Sequence, residues 1–290
     1  MAVTAKPKVR VQVRPIGDAD REAVGVFLEA NLNSRVPAAA WARALDVPWQ
    51  VDRPNAGFML VKGDDVVGVQ VAFYSERLID GRPERFCNLG AWCVLPDHRI
   101  DGLRLLKAVL AQEEYHFTDL SPSGNVISIN TRLGFRFLDS ATLLVPNLPW
   151  PGSGEVVADP AEIERALSGA ELQIYRDHAS APAAHHLLLR RGSAECYVMF
   201  RKDRRKGLPL FATLLYVSDP AAFAAMARPL GRHLLLHHGI PATLVEQAVA
   251  PVRPRMSRTV STQRRRMFRS SSLQAAQVDY LYSELVCVPW

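Results

Sequence analysis

Val9-Arg10-Val11-Gln12-Val13-Arg14 alternates apolar with polar residues, the period of a half-buried strand. Asp18 or Asp20 then stands where a helix cap is wanted, ahead of an apolar stripe at Ala23, Val24, Phe27, Leu28 and Leu32. A shorter helix is expected from Pro37 to Leu45, with Pro37 in its first turn. Two runs rich in β-branched residues flank Gly63-Asp64-Asp65, which predicts a hairpin from Gly57 to Tyr74. Arg85 to Leu95 reads as the next strand. Leu103, Leu106, Val109 and Leu110 give a helix whose stripe packs on a sheet. Tyr115 to Leu120 is a short strand, Asn125 to Leu133 a helix stopped by Gly134, and Phe135 to Val145 the last strand or strands.

Pro146 to Gly154 holds three prolines and two glycines in nine residues, the composition of a linker. After it the same order of elements returns. Asp159-Pro160 starts a helix, and Glu171 to Asp177 makes another. Cys196–Arg201 and Leu210–Val217 pair around an Asp203–Gly207 turn. Pro220 to His238 is a helix with Phe223, Met226, Leu230 and Leu234 on one side, followed by a strand at Thr243 to Glu246. Arg266–Arg269 and Val278–Val288 read as a closing strand pair. The chain is therefore read as two domains, 1–147 and 155–290, each a mixed α/β fold with an α+β mixed sheet.

A chain of 290 residues, 48% hydrophobic and 22% charged, can bury two cores and has the balance of a soluble globular protein. No apolar run reaches the roughly 18 residues of a membrane span. Met1 to Lys8 lacks the apolar stretch of a signal peptide, so a cytoplasmic location is expected. Cys87, Cys93, Cys196 and Cys287 form no C-x-x-C pair and have no histidine at zinc spacing; they read as core or near-core thiols, with no metal site. The net charge of +6 concentrates in 201–206, 253–258 and 264–269. Those runs lack the interleaved aromatic residues that stacking on single strands needs, so nucleic acid is not the expected partner, although the runs leave it open.

The chemistry centres on Val94-Leu-Pro96-Asp-His-Arg99-Ile-Asp-Gly102-Leu-Arg104, between a strand and a helix. A helix N-terminus presents unpaired amides and a favourable dipole to an anion, and Gly102 lets a backbone come close. Together with Leu133-Gly134-Phe135 and the preceding hairpin, this loop resembles the GCN5-related N-acetyltransferase superfamily, over about residues 9 to 145. The resemblance implies two acyl-CoA N-acyltransferase-like domains in tandem, the second a degenerate copy without the loop, serving the acceptor or the interface. It also implies acetyl-CoA as co-substrate and a small-molecule, sugar or peptide amine as acceptor, attacked directly in a ternary complex. By the same resemblance, pantetheine would lie along Trp92, Cys93, Val94 and Leu95. The pyrophosphate would lie on the amides of Arg99, Ile100, Asp101, Gly102, Leu103 and Arg104, and the Ser123 hydroxyl would bond pantetheine or the acceptor.

The usual glutamate base and tyrosine acid are missing from their places. Glu76 and Asp119 are the substitute bases, and Asn130, at the tyrosine's position, can hydrogen-bond the thioester. Two alternatives stand beside this reading. One is an aminoacyl-tRNA-dependent transferase of the tandem peptidoglycan-modifying type; the other is an inactive CoA-binding or scaffold protein.

Overall fold

A computed structural model describes residues 10–205, 207–260 and 265–289. Met1 to Val9, Lys206 and Arg264 lie outside the described residues. The first half runs β1 (Gln12–Pro15), α1 (Arg21–Asn31), α2 (Ala38–Ala44), β2 (Gly57–Lys62), β3 (Asp65–Ile79) and β4 (Arg82–Val94). It continues with α3 (Arg99–Leu110), β5 (His116–Asp119), α4 (Gly124–Arg132), β6 (Arg136–Phe137) and β7 (Thr142–Pro146). The second half runs β8 (Glu155–Val157), α5 (Pro160–Ala166), α6 (Gly169–His178), β9 (His185–Arg191), β10 (Ala194–Arg205) and β11 (Leu208–Val217). Then come α7 (Pro220–His238), β12 (Ala242–Glu246), β13 (Arg258–Thr259), β14 (Met267–Arg269) and α8 (Glu284–Cys287).

These strands form two seven-stranded mixed sheets, ordered β1-β2-β3-β4-β5-β14-β6 and β13-β7-β12-β11-β10-β9-β8. The sheets do not divide where the sequence does. β7, from before the proline-rich segment, pairs with β12 of the second sheet, Leu144 opposite Leu244. In return β14 enters the first sheet between β5 and β6, with Met267 opposite Asp119. Each half thus completes the other's sheet and covers an edge that would otherwise be open. The start of the 146–154 segment is anchored rather than free: Asn147 is buried, donates to the Ile240 carbonyl at 2.9 Å and accepts from the Thr243 hydroxyl at 2.8 Å.

The stripes read from the sequence face the expected layers, except that Ala23, Leu32 and Leu103 are exposed. Leu106, Val109 and Leu110 of α3 pack with Tyr74, Cys87 and Phe117 on one face of the first sheet. Phe223, Met226, Leu230 and Leu234 of α7 do the same for the second. The opposite faces share one core with α1, α2, α5 and α6. Into that shared core runs the segment from Val278 to Val288. It is not the expected strand, but a succession of bends ending in α8, buried almost throughout. Its apolar residues are a plug between the two halves, and an apolar run of this length has no period to separate plug from strand.

Candidate active site

Near its middle β4 loses its partner. It pairs with β5 in parallel only from Phe86 to Asn88, opposite His116 to Thr118, yet runs on to Val94. The cause lies on its other edge. Against β3, Trp92 faces Gln70 but Leu89 faces Ala72, so β4 carries one extra residue at Gly90–Ala91, a β-bulge. Gln70, buried, donates from Nε2 to the Gly90 carbonyl at 3.3 Å and holds the bulge. Gly90 is required there by proximity: a Cβ would sit 2.6 Å from Phe73 Cε2. The bulge turns β4 away from β5, and a cleft of about 1300 Å3 opens between them.

Asp119 ends β5 at this opening and lines the cleft. Its Oδ2 accepts from Asn130 Nδ2 at 2.8 Å, an amide held wholly inside by α4. Burial raises the Asp119 carboxyl to a pKa of about 7, and the charge of Glu284 pushes the same way. Hydrogen bonds from Asn130 and the Ser121 amide oppose both. Glu284 is the residue that sequence reasoning missed. It is fully buried on α8, and its own pKa is raised by that burial. Ser121 Oγ donates to its Oε1 at 2.7 Å, while Oε2 has no hydrogen-bond partner among the described residues. Its amide donates to Asn88 Oδ1 at 3.1 Å, and Asn88 Nδ2 donates to Thr118 Oγ1 at 3.0 Å, which ties α8 to the last paired rung of β4 and β5. The only sequence signal was a lone Glu inside an apolar run.

The other sequence candidates divide. Trp92 lines the cleft, and its buried Nε1 has no hydrogen-bond partner among the described residues. Cys93 is turned toward α1, with its thiol 3.5 Å from the Asn31 carbonyl. Val94 packs beneath Gly102, where a Cβ would come 3.2 Å from Val94 Cγ2, and the Leu95 amide donates to the Val67 carbonyl. Ser123 lines the cleft at the start of α4.

The stretch Arg99 to Arg104 is not an open loop. A 3-10 turn at Pro96–His98 leads directly into α3, and the Arg99 amide bonds the Pro96 carbonyl. Leu103 and Arg104 have their amides inside the helix, leaving Ile100 and Asp101 at its open first turn. Arg104 turns its guanidinium to Asp101 at 2.8 Å and to the Val11 carbonyl at 3.2 Å, so each neutralises the other. Glu76 is away from the split. It is exposed on β3, faces Arg85 of β4 at 3.7 Å, and lines a separate cavity with Trp49, Asp52 and Tyr115. The physical reason is register: Glu76 pairs at the beginning of β4, the bulge lies near its end.

The second half builds the facing wall. The β10–β11 hairpin contributes Arg201, Asp203, Arg204, Arg205 and Gly207, and the approach to β14 contributes Arg265 and Arg266. Arg201 is buried, bonds Asp203 at 3.0 Å and donates to the Leu285 carbonyl at 3.0 Å. Arg266 is buried against Glu246 of β12, donates to the Leu120 carbonyl at 2.7 Å and lies over the Tyr280 ring. Among the described residues, no group of three or more His, Cys, Asp or Glu side chains is placed to hold a metal ion, and no helix is long and apolar enough to cross a membrane.

No protein-family model matches the chain, and no curated protein matches it by sequence. Solved structures do match its shape. A GCN5-related N-acetyltransferase from Anabaena variabilis superposes with a TM-score of 0.57 at 12% identity, over 90% of this chain and 72% of the other. A putative acetyltransferase from Pyrococcus horikoshii gives 0.57 at 12% identity, over 97% and 96%. A probable N-acyltransferase from Enterococcus faecalis gives 0.58 at 14%, over 92% and 74%. At such identities the likeness shows the fold.

Proposed function

We propose that the chain, which has the fold of the GCN5-related N-acetyltransferases in two copies, is an acyl-CoA-dependent N-acyltransferase, moving an acetyl group to an amine by direct attack in a ternary complex. The observation that carries the proposal is Asp119, a carboxyl with a pKa of about 7 at the mouth of the gap between β4 and β5. A group of that pKa can both take and return a proton near neutral pH.

The gap fits an acyl-CoA arm. The β4 edge beyond Asn88 has no β5 partner, Trp92 Nε1 is a buried donor with no hydrogen-bond partner among the described residues, and α3 has no side-chain cap. Bound there, acyl-CoA supplies a thioester carbonyl open to an amine, with a thiolate to leave. Asp119 takes the proton that the amine loses on bonding to the carbonyl carbon, and gives it to the departing sulfur. Asn130 is a positioning residue: its Nδ2 donates to Asp119 and aims the carboxyl. Glu284 and burial together keep Asp119 protonated until about pH 7. The second half supplies the acceptor wall.

Calorimetric titration with acetyl-CoA and CoA, on the wild type and Gly102→Trp, is the direct test. Saturable binding by the wild type, weakened in the variant, is the expected result. No saturable binding by the wild type would sink the proposal. Turnover over a panel of amines, read as free thiol, then separates an enzyme from a binding protein.

A further inference from the structure

The cleft is unbalanced in charge, and its positive side comes from the second half and the α1–α2 connection. Six arginines line it, and two of them are neutralised: Arg201 by Asp203, and Arg266 by Glu246. Asp203 is fully engaged, because its second oxygen accepts from the Thr213 hydroxyl. Arg35, Arg204, Arg205 and Arg265 remain, and none of them has an ion pair among the described residues. Arg204 donates to the Gly207 carbonyl, at 3.1 Å, and Arg265 lies over the Phe137 ring. Asp119 is the cleft's other lining carboxyl, and at neutral pH it is about half protonated. Four uncompensated guanidinium groups around a concave site recognise a planar or tetrahedral anion through paired N–H donors.

We infer that the amine acceptor carries an anionic group, a phosphate or a carboxylate, which this arginine rim binds while the amine is directed at Asp119. The inference rests on the acyl-transfer reading, and gives the second copy its role in that reading. A cleft of about 1300 Å3 has room for a donor arm and a small metabolite together. A long polyanion would instead need a stripe of charge along an open surface. The same arginines would suit the phosphates of the acyl donor, so the experiment must distinguish the two sources.

Arg204→Gln/Arg205→Gln is the informative variant, since both side chains stand on an exposed hairpin end and their loss opens no core. Matched amines serve as probes: 2-aminoethyl phosphate against ethanolamine, and an amino acid against its amide. In the wild type, kcat/KM with acetyl-CoA is expected to favour the anionic member of a pair at least tenfold. In the variant this preference collapses through KM, while the Kd for CoA stays within twofold. Equal use of neutral and anionic amines by the wild type would overturn the inference. So would a tenfold loss of CoA affinity with the preference intact, which would give the rim to the donor's phosphates, or salt-sensitive tRNA binding as the only property lost. If the wild type binds no CoA at all, the acyl-transfer reading fails on its own account. The rim is then judged separately, by whether 2-aminoethyl phosphate binds and ethanolamine does not, and whether the variant abolishes that difference.

Discussion

Both sheets contain the same split, and the two are lined by different side chains. In the first, β4 and β5 stay paired to Asn88 and Thr118; in the second, β11 and β12 stay paired to Thr213 and Leu244. One residue beyond the last rung stands Asp119 in the first sheet and Val245, fully buried and apolar, in the second. The helices that follow differ in the same sense. α3 begins without a side-chain cap and has Gly102 as its fourth residue; α7 has Phe223 in fourth place. The Asp219 carboxylate accepts from the amides of Ala221 and Ala222 at 2.8 and 2.9 Å, filling the place an external anion would take at α7. The two copies share an architecture and differ at these three places in what they offer a ligand.

The sharpest way to break this contrast is Asp119→Asn. It keeps an oxygen for Asn130 but removes the proton carrier, and should lower kcat by about 10²- to 10⁴-fold. The wild-type kcat/KM should rise with pH through about 7, as Asp119 ionises, and the variant should lose that limb. The sign for stability is opposite. A carboxyl whose folded pKa is raised from 3.8 toward 7 costs stability as pH climbs through that window, so the variant should melt higher than the wild type at pH 8.

Next in size is the joint between the two sheets. Arg266→Ala leaves Glu246 buried without its partner, and should cost about 3–5 kcal/mol by denaturant unfolding. Because Arg266 adjoins the exchanged strand β14 and bonds Leu120, both sheets should unfold in one transition. Separate transitions would show that the exchange is not what couples them. Gly102→Val forces Val94 aside, for roughly 1–3 kcal/mol of overpacking. Phe223→Tyr, its counterpart on α7, should leave CoA binding unchanged. The smallest effect is Asp219→Ala, about 1 kcal/mol for a lost N-cap, read as a lower Tm without change in turnover.

Much of this arrangement was legible along the chain. Helix and strand periods located α1, α3, α7, the Gly57–Tyr74 hairpin and the Asp203–Gly207 turn, because each has one apolar face and a turn signal at its end. Asp159 and Asp219 sit at the starts of α5 and α7, and accept from the amides a cap should meet. Asp119, Asn130, Trp92 and Ser123 were named from sequence and all line one cleft. Glu76 was named with them and lies elsewhere, since sequence order says nothing of which rung of a strand meets the bulge.

By itself the sequence placed most of the helices and strands, showed that they occur twice in one order, and showed that the second set lacks the glycine-containing loop, while it misread 278–288 as a strand. Only the tertiary structure decided that β7 and β14 change places, that Glu284 reaches Asp119, and that the arginines of one half face the carboxyl of the other. Local elements follow from short-range propensity and from the period of burial, which neighbours in sequence carry. A site of this kind is assembled from residues far apart in the chain, Asp119 and Glu284 being 165 positions apart, and their meeting depends on strand register and on a plug with no period of its own.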